Sequence, residues 1–378
     1  MKANMNATLT RPAWVEVDLK TIVENLKAVR EKVGSRKVMG TVKANAYGHG
    51  LVDVAKLLEA EGIDMLGVSI LDEAMHLRQA NIRSPILIMG TILSEEAERA
   101  VELDVRPTLN SFKVAESIDD AGRRQDRVIA AHVKIDTGMG RFGELPDNAV
   151  DYLGRLRTLE HLQIEGIYTH FPIADEQNDP FTRGQIEIFA RIVNTLEEKG
   201  FHIPIRHAAN SSAILNYPES YFTMVRPGDT LYGLYPSDKV DKGLSLKPAL
   251  SWKSRVLTVK QIPKGWSVSY GRTYIAPEEK RIAIIPVGYA DGYNRHLSNS
   301  GQVLLHGRRV PIIGLVCMDQ FMIDVSDIGD VAVGDEVVLI GKQGDEEITA
   351  DELAKELGTI NYEIICGINC RVPRIYKP

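Results

Sequence analysis

Three stretches of this chain bring together residue types capable of covalent, acid–base or anion-binding chemistry. In VKANAYGHG (42–50) Lys43 follows a short apolar run and precedes Tyr47 and two glycines. Such a lysine is commonly a surface side chain at a strand exit. It can equally be an amine held inside a concave site, where burial lowers its pKa and makes it a Schiff-base former and a proton carrier. The pattern leaves both readings open. In KIDTGMGRFG (134–143) Lys134 ends a strand-like run, and three glycines mark the loop that carries Arg141. Arginine can clamp a carboxylate through two parallel bonds. Two cations converging on one place need an anion, from a ligand or from a modification. In RHAANSS (206–212), followed by RPG (226–228), Asn210 or Ser211 can cap a short helix. A helix start with Ser and Gly amides nearby is also a phosphate site, and barrels often build one from their last two strand–helix loops.

The elements that must position these residues alternate over the first two thirds of the chain. A helical stripe runs through Leu19, Ile22, Val23, Leu26, Val29 and Val33, and a strand-like run follows at 37–43. Further strand-like runs fall near 64–70, 85–89, 105–108, 128–135, 163–169 and 204–208, with a short one at Met224-Val225. Helical stretches lie between them, the clearest at 52–61 and 181–198. Eight such alternations predict an α/β domain, a closed (β/α)8 barrel of the TIM type. An open doubly wound sheet would read similarly. The barrel is favoured because Lys43, Lys134, His170 and Asn210 recur at strand ends, where barrels place their sites. From 249 onward the grammar changes. Runs at 249–260, 282–286, 302–305, 310–314, 322–325 and 336–340 follow one another across turn signals. One short helix, 349–357, opens after Thr349. The expected division is 1–245 as the barrel and 246–378 as a mostly-β domain, with a strand segment at about 10–17 packing on the latter.

Composition narrows the classes. Against 51 acidic residues the chain has 45 Lys and Arg, a formal charge of −6 with no basic block, which argues against a nucleic-acid surface. No apolar run reaches the ~18 residues a membrane span needs. The opening MKANMNATLTRPAW lacks an apolar leader core. Three cysteines, Cys317, Cys366 and Cys370, are too few for a disulfide scaffold and lack the paired partners of a zinc site. They read as small buried hydrophobes in a reduced, cytoplasmic protein, with no metal centre.

Taken together, VKANAYGHG, KIDTGMGRFG, HAANSSA, RPG, SYGRTY, GYADGY, CMDQ and NYEI occur in one order over essentially the whole chain. As a set they closely resemble the alanine racemases, pyridoxal 5'-phosphate enzymes of fold type III. The resemblance implies that Lys43 holds the cofactor as a Schiff base and acts as the base on the D side. It implies that Tyr270 is the base on the L side, reaching across a homodimer interface into the partner's barrel. Arg141 and the backbone of Met318 match the substrate-carboxylate contacts. Tyr47, Ser211, Gly228 and Tyr362 match the phosphate ligands, and Asn210 falls in the same set. Arg226 matches the partner of the pyridine nitrogen, with His207 behind it, and His170 matches a histidine beside the catalytic tyrosine. Lys134 matches a lysine that is carbamylated in many members, which would supply the missing anion and orient Arg141. Tyr289 and Arg295 match the substrate entrance, with Asp319 adjacent.

The chemistry agrees. Racemisation removes a proton from one face of Cα and returns one to the other, so two bases are needed. An arginine at the ring nitrogen stays protonated and restrains the ring as an electron sink. The expected reaction is interconversion of L- and D-alanine for peptidoglycan. A serine or broad-specificity racemase would use the same bases. A barrel-type amino-acid decarboxylase would place a carboxylate where RPG places Arg226. A non-catalytic cofactor carrier would lack the second domain, and a cofactor-free Schiff-base barrel would not need the phosphate set.

Overall fold

The computed structural model describes residues 11–378, which form two compact units. One comprises Thr21–Lys247; the other comprises Pro248–Pro378 with the described residues before Thr21. In the first, eight parallel strands close into a barrel: Lys37–Thr41, Met65–Val68, Ile86–Ile88, Arg106–Leu109, Ile129–Lys134, Leu162–Tyr168, Ile205–His207 and Met224–Val225. The eighth pairs back onto the first, Lys37 opposite Met224. The strands read as near-continuous apolar runs because helices cover one face and the barrel interior the other. Met39, Met65, Leu87, Ile205 and Met224 form a buried apolar cluster on these strands. Lys43 lies just past the first strand, in the turn that follows it, and does not close the strand as the run at 37–43 suggested.

Helices return the chain between strands. Leu19–Val33 buries Ile22, Leu26, Val29 and Val33, the three- and four-residue spacing of a single face. Pro180–Glu198 begins with a proline in its first turn, and the Asp179 carboxylate caps it by accepting from the Thr182 N–H at 2.7 Å.

The second unit carries a ten-stranded sheet. Its path runs Thr258–Ile262, Lys280–Ile285, Phe321–Asp324, Arg308–Ile313, Gln302–Leu305, Glu336–Gln343, Leu250–Arg255, Ala13–Asp18 and Arg374–Lys377, and the tenth strand, Glu346–Ile348, pairs with Glu336–Gln343 off this path. The stretch 249–260, expected as one strand, is two. Between them the backbone changes neighbour: Val256 donates to the Asp335 carbonyl and Leu257 to that of Ile284. Ala13–Asp18 pairs antiparallel with Leu250–Arg255 and parallel with Arg374–Lys377. Residues 1–10, the bulk of the segment read for a leader and the first residue of the 10–17 strand, lie outside the described residues. Thr349 caps the helix Ala350–Leu357, its hydroxyl accepting from Glu352 N–H at 3.0 Å.

The expectation for the cysteines is corrected. Cys366 and Cys370 are exposed and Cys317 is half-buried. Cys366 ends the helix Asn361–Cys366 with its outer face to solvent, while Ile365 and Ile368 fill the core beside it. Among the described residues no helix is long and apolar enough to cross a membrane.

Candidate active site

In the barrel unit the candidate residues lie at or just beyond the C-terminal ends of the strands. After Lys43 come four residues in succession with positive φ: Ala44 at 53°, Asn45 at 57°, Ala46 at 53° and Tyr47 at 51°. Left-handed backbone costs a residue with a side chain about 1–2 kcal/mol. Such strain persists only where the surroundings over-determine it. Here Ala44 N–H donates to Glu73 Oε1 at 2.6 Å, Ser69 N–H to Glu73 Oε2 at 2.7 Å, and Leu51 N–H to Asn45 Oδ1 at 2.9 Å. The turn closes through Gly48 N–H to the Ala44 carbonyl and Gly50 N–H to that of Asn45. Tyr47 and His49 both stack on Tyr232, at centroid separations of 5.0 and 4.4 Å. Tyr232 in turn donates to the carbonyl of Thr41 at 2.8 Å.

Asn210 caps the helix Ser211–Asn216 by accepting from the Ala213 N–H at 3.0 Å. The Ser211 hydroxyl is thereby left for another partner and accepts from the Gly228 amide at 2.8 Å. A Cβ on Gly228 would stand 2.6 Å from the Tyr47 hydroxyl. Two hydroxyls and an amide thus lie close together, and a side chain at 228 would clash with one of them. That is the donor set a phosphate requires. The next residue, Asp229, has a buried Oδ1 with no partner. Burial pushes its carboxyl up to about 7, against the pull of Lys43.

Arg226 is buried and held by four acceptors. One terminal nitrogen donates to the carbonyls of Thr169 and Ala208, both at 2.9 Å, and to His170 Nδ1 at 3.1 Å. The other donates to His207 Nδ1 at 3.2 Å. Burial lowers its pKa to about 10, so the guanidinium stays charged at neutral pH. Burial first, and Arg226 second, push His170 and His207 well below the usual histidine range, so both are neutral acceptors.

Lys134 is 1% exposed, its Nζ meets no acceptor, and it sits 3.6 Å over the Phe142 ring. Burial, then the charge of Arg141, lowers it to about 8. A buried, readily neutralised amine that lacks an anion suits a carbamate. The loop after it is built by Asp136. Its Oδ1 accepts from Gly138, Met139 and Gly140 N–H at 3.0, 2.7 and 3.1 Å, and its Oδ2 from Arg141 N–H at 3.0 Å. Burial raises this carboxyl, but the four amides outweigh it and hold the group below the carboxylate range. Arg141 itself is exposed on the rim of this loop.

The other candidates belong to the second unit. Tyr270 opens a single 3-10 turn and is 73% exposed. Ser269 before it holds φ of 66° and is anchored by its hydroxyl to the Leu315 carbonyl at 2.7 Å. Tyr289 N–H donates to the Cys317 carbonyl at 3.1 Å and Ala290 N–H to that of Met318 at 3.0 Å. A Cβ at Gly288 would lie 2.3 Å from the Cys317 oxygen, so only glycine lets these segments meet. Asp319 pairs with Arg371, which also binds the buried Asp291 at 2.7 Å. Tyr289, Met318 and Asp319 are therefore brought together. Arg295 and Tyr362 stand on separate elements, the turn Arg295–Leu297 and the helix Asn361–Cys366.

Three residues without a part in the sequence reading shape the barrel site: Glu73, Asp136 and Asp229. Asp136 was findable, because Asp followed by glycines signals a side chain that folds back on its own amides. Glu73 carries no local signal, since it ties two loops distant in sequence.

Comparison with known proteins bears on this geometry. The family model described as alanine racemase, N-terminal domain, matches residues 17–236, and that for the C-terminal domain matches 249–376. The chain is 46% identical to the alanine racemase of Halothermothrix orenii over 374 residues, 99% of each chain. It is 47% identical to alanine racemase 2 of Caldanaerobacter subterraneus over 368 residues, covering 97% of this chain and 95% of that one. Among solved structures, alanine racemase of Clostridium difficile 630 superposes with a TM-score of 0.94 at 39% identity, over 98% of this chain and 96% of that one. The Bacillus anthracis alanine racemase with bound L-Ala-P gives 0.93 at 39% identity with the same coverages, 98% and 96%.

Proposed function

The chain belongs to the alanine racemase family, and on that premise we propose how its own residues divide the work. The enzyme interconverts L-alanine and D-alanine and uses pyridoxal 5'-phosphate. When bound, that cofactor withdraws electron density from the substrate Cα and loosens its proton. Lys43 carries the cofactor and exchanges the Cα proton at its Nζ on one face. Tyr270 of the partner subunit exchanges it at its hydroxyl on the other face, because one base cannot serve both. Tyr47, Ser211, the Gly228 amide and Tyr362 hold the phosphate, with Asn210 fixing Ser211 through the helix cap. Arg226 faces the ring nitrogen as a cation that does not surrender its proton. It limits the charge the ring accepts, which favours return of the proton to Cα. His207 and His170 hold Arg226 in place.

Arg141 and the Met318 backbone grip the substrate carboxylate. Lys134, as a carbamate, orients Arg141. Tyr289 and Arg295, with Asp319 beside them, line the approach. The observation that carries this reading is the close approach of Tyr47, one turn beyond Lys43, to Gly228 and through it to Ser211, which leaves no room for a Cβ at 228. Homodimerisation is supported by the exposure of Tyr270, a base of little use in open solvent. Placement in the cytoplasm, with D-alanine passing to peptidoglycan, completes the proposal.

The test is exchange in deuterated water. Loaded enzyme incubated with L-alanine should yield D-alanine carrying deuterium at Cα, and L-serine should turn over more slowly. Exchange without inversion would remove Tyr270 from its role. Faster inversion of serine would change the substrate assignment.

A further inference from the structure

The barrel interior is apolar on one side, where Met39, Met65, Leu87 and Met224 pack. On another side it carries a line of polar groups that leads away from the site. His207 Nε2 lies 2.8 Å from His132 Nδ1, His132 Nε2 lies 3.3 Å from Glu165 Oε2, and Arg106 Nε donates to that same oxygen at 3.1 Å. Resting on the reading that Arg226 faces the ring nitrogen, we propose that His132 and Glu165 are positioning residues for Arg226, acting through His207 along a hydrogen-bond chain with one fixed polarity.

The polarity follows from the two ends. A guanidinium only donates, so His207 Nδ1, 3.2 Å from Arg226, must accept. The proton of His207 therefore sits on Nε2 and is donated to His132 Nδ1. The proton of His132 then sits on Nε2 and is donated to Glu165, a carboxylate that only accepts. Every donor meets an acceptor in this arrangement, and the opposite tautomers would set two lone pairs or two protons against each other. Both rings are fully buried, and burial keeps both neutral. The carboxylate at the far end is held ionised, at about 2, chiefly by its bond to His132. Chains of this kind polarise along their length. The negative charge of Glu165 makes His207 Nδ1 a better acceptor and so ties the guanidinium more tightly.

The fold makes room for this line at the expense of regular structure. A Cβ on Gly166 would lie 2.5 Å from the His132 ring, so the neighbouring strand gives up a side chain there. The pairing register of the same two strands shifts between Ala131 and His132. Tyr168 stacks flat on His207, 4.7 Å between centroids and 11° between planes, and prevents the ring from flipping out of line. Filling space alone would call for aliphatic residues, since buried polar pairs are seldom better than well-packed apolar ones.

Long-range proton–nitrogen correlation spectra of the protein with isotope-labelled histidine test the polarity directly, with and without cofactor. His207 and His132 should both carry the proton on Nε2. An Nδ1 proton or an imidazolium at either ring overturns the proposal, and this measurement needs no variant. The coupling is tested with ring-labelled pyridoxal 5'-phosphate bound to the wild type, E165Q and R226K. In E165Q the ring-nitrogen resonance should move in the same direction as in R226K, by less, and with KM for alanine nearly unchanged while kcat falls. A resonance that moves in R226K but not in E165Q ends the positioning role. A resonance that moves in neither shows that Arg226 does not face the ring, and the proposal falls with that reading.

Discussion

Lys134 shows how a single side chain can report missing chemistry. A cation that is 1% exposed with no acceptor is expensive to keep charged. The lowered pKa, about 8, gives a neutral amine, which attacks the carbon of carbon dioxide with its lone pair near neutral pH and then loses a proton to solvent. The carbamate so formed would turn a cation beside Arg141 into an anion. Native intact mass in bicarbonate buffer should exceed the sequence mass by one carbon dioxide, and the excess should vanish on acidification. K134A should lose it in any buffer and lower kcat at least tenfold, as removal of an orienting outer partner typically does (about 10–100-fold). An unmodified native mass would leave Arg141 without its anion and require another. The type of this residue and its loop were legible from glycine spacing. Its isolation was not, because burial of an amine depends on what packs over it, here the Phe142 ring.

Among elements, the left-handed turn Ala44–Tyr47 places four successive residues with side chains at positive φ. Glycine at φ near +53° escapes the steric penalty, so A44G should raise stability by about 1 kcal/mol. The net gain is set by the added freedom of the unfolded chain, which opposes it. Thermal or urea unfolding of the cofactor-free protein would register the change, and a destabilised A44G would mean that the turn is not strained in solution. The sequence marked this segment through Gly48 and Gly50, and both hold positive φ, 81° and 104°. The unusual backbone extends as well over four residues with side chains, Ala44 to Tyr47, because Glu73 and Asn45 supply bonds that no local pattern announces. The barrel alternation and the later succession of strands were legible for the converse reason. Apolar periodicity records which faces are covered. The split at Val256 was hidden because the run carries no glycine or proline at that point, and only the change of hydrogen-bond partner separates its halves.

At the scale of the whole molecule, two predictions follow from burial and exposure. His132, His170 and His207 are all neutral in the folded chain, with pKa values lowered chiefly by burial. The unfolded chain binds protons at these positions below about pH 6.5, and the folded chain does not. The three rings should therefore make stability fall as the pH drops beneath about 6.5, by up to about 1.4 kcal/mol per pH unit for each histidine. The single buried carboxyl of Asp229 offsets this in part, because burial raises it to about 7 and it takes up a proton in the folded chain over the same range. Glu165, held near 2, adds a second loss at lower pH still, between the ordinary glutamate range and its own. Urea midpoints measured from pH 7.5 to 5 at fixed ionic strength check the first window, and a flat profile would show that the rings titrate normally. The second prediction concerns assembly. Tyr270, 73% exposed in its own chain, serves a second copy in the proposed mechanism. Mixing K43A and Y270F chains, each inactive alone, should restore activity, because each mixed dimer contains one site with both bases. No recovery after verified subunit exchange would place both bases of each site within one chain.

The distribution of thiols has a practical consequence. All three cysteines lie after residue 248, and two of them are open to solvent, while the barrel contains none. A maleimide dye attached at Cys366 or Cys370 leaves the catalytic barrel chemically untouched. Fluorescence or distance measurements from those positions would thus follow the strand-rich unit alone, in the native sequence and without an engineered label.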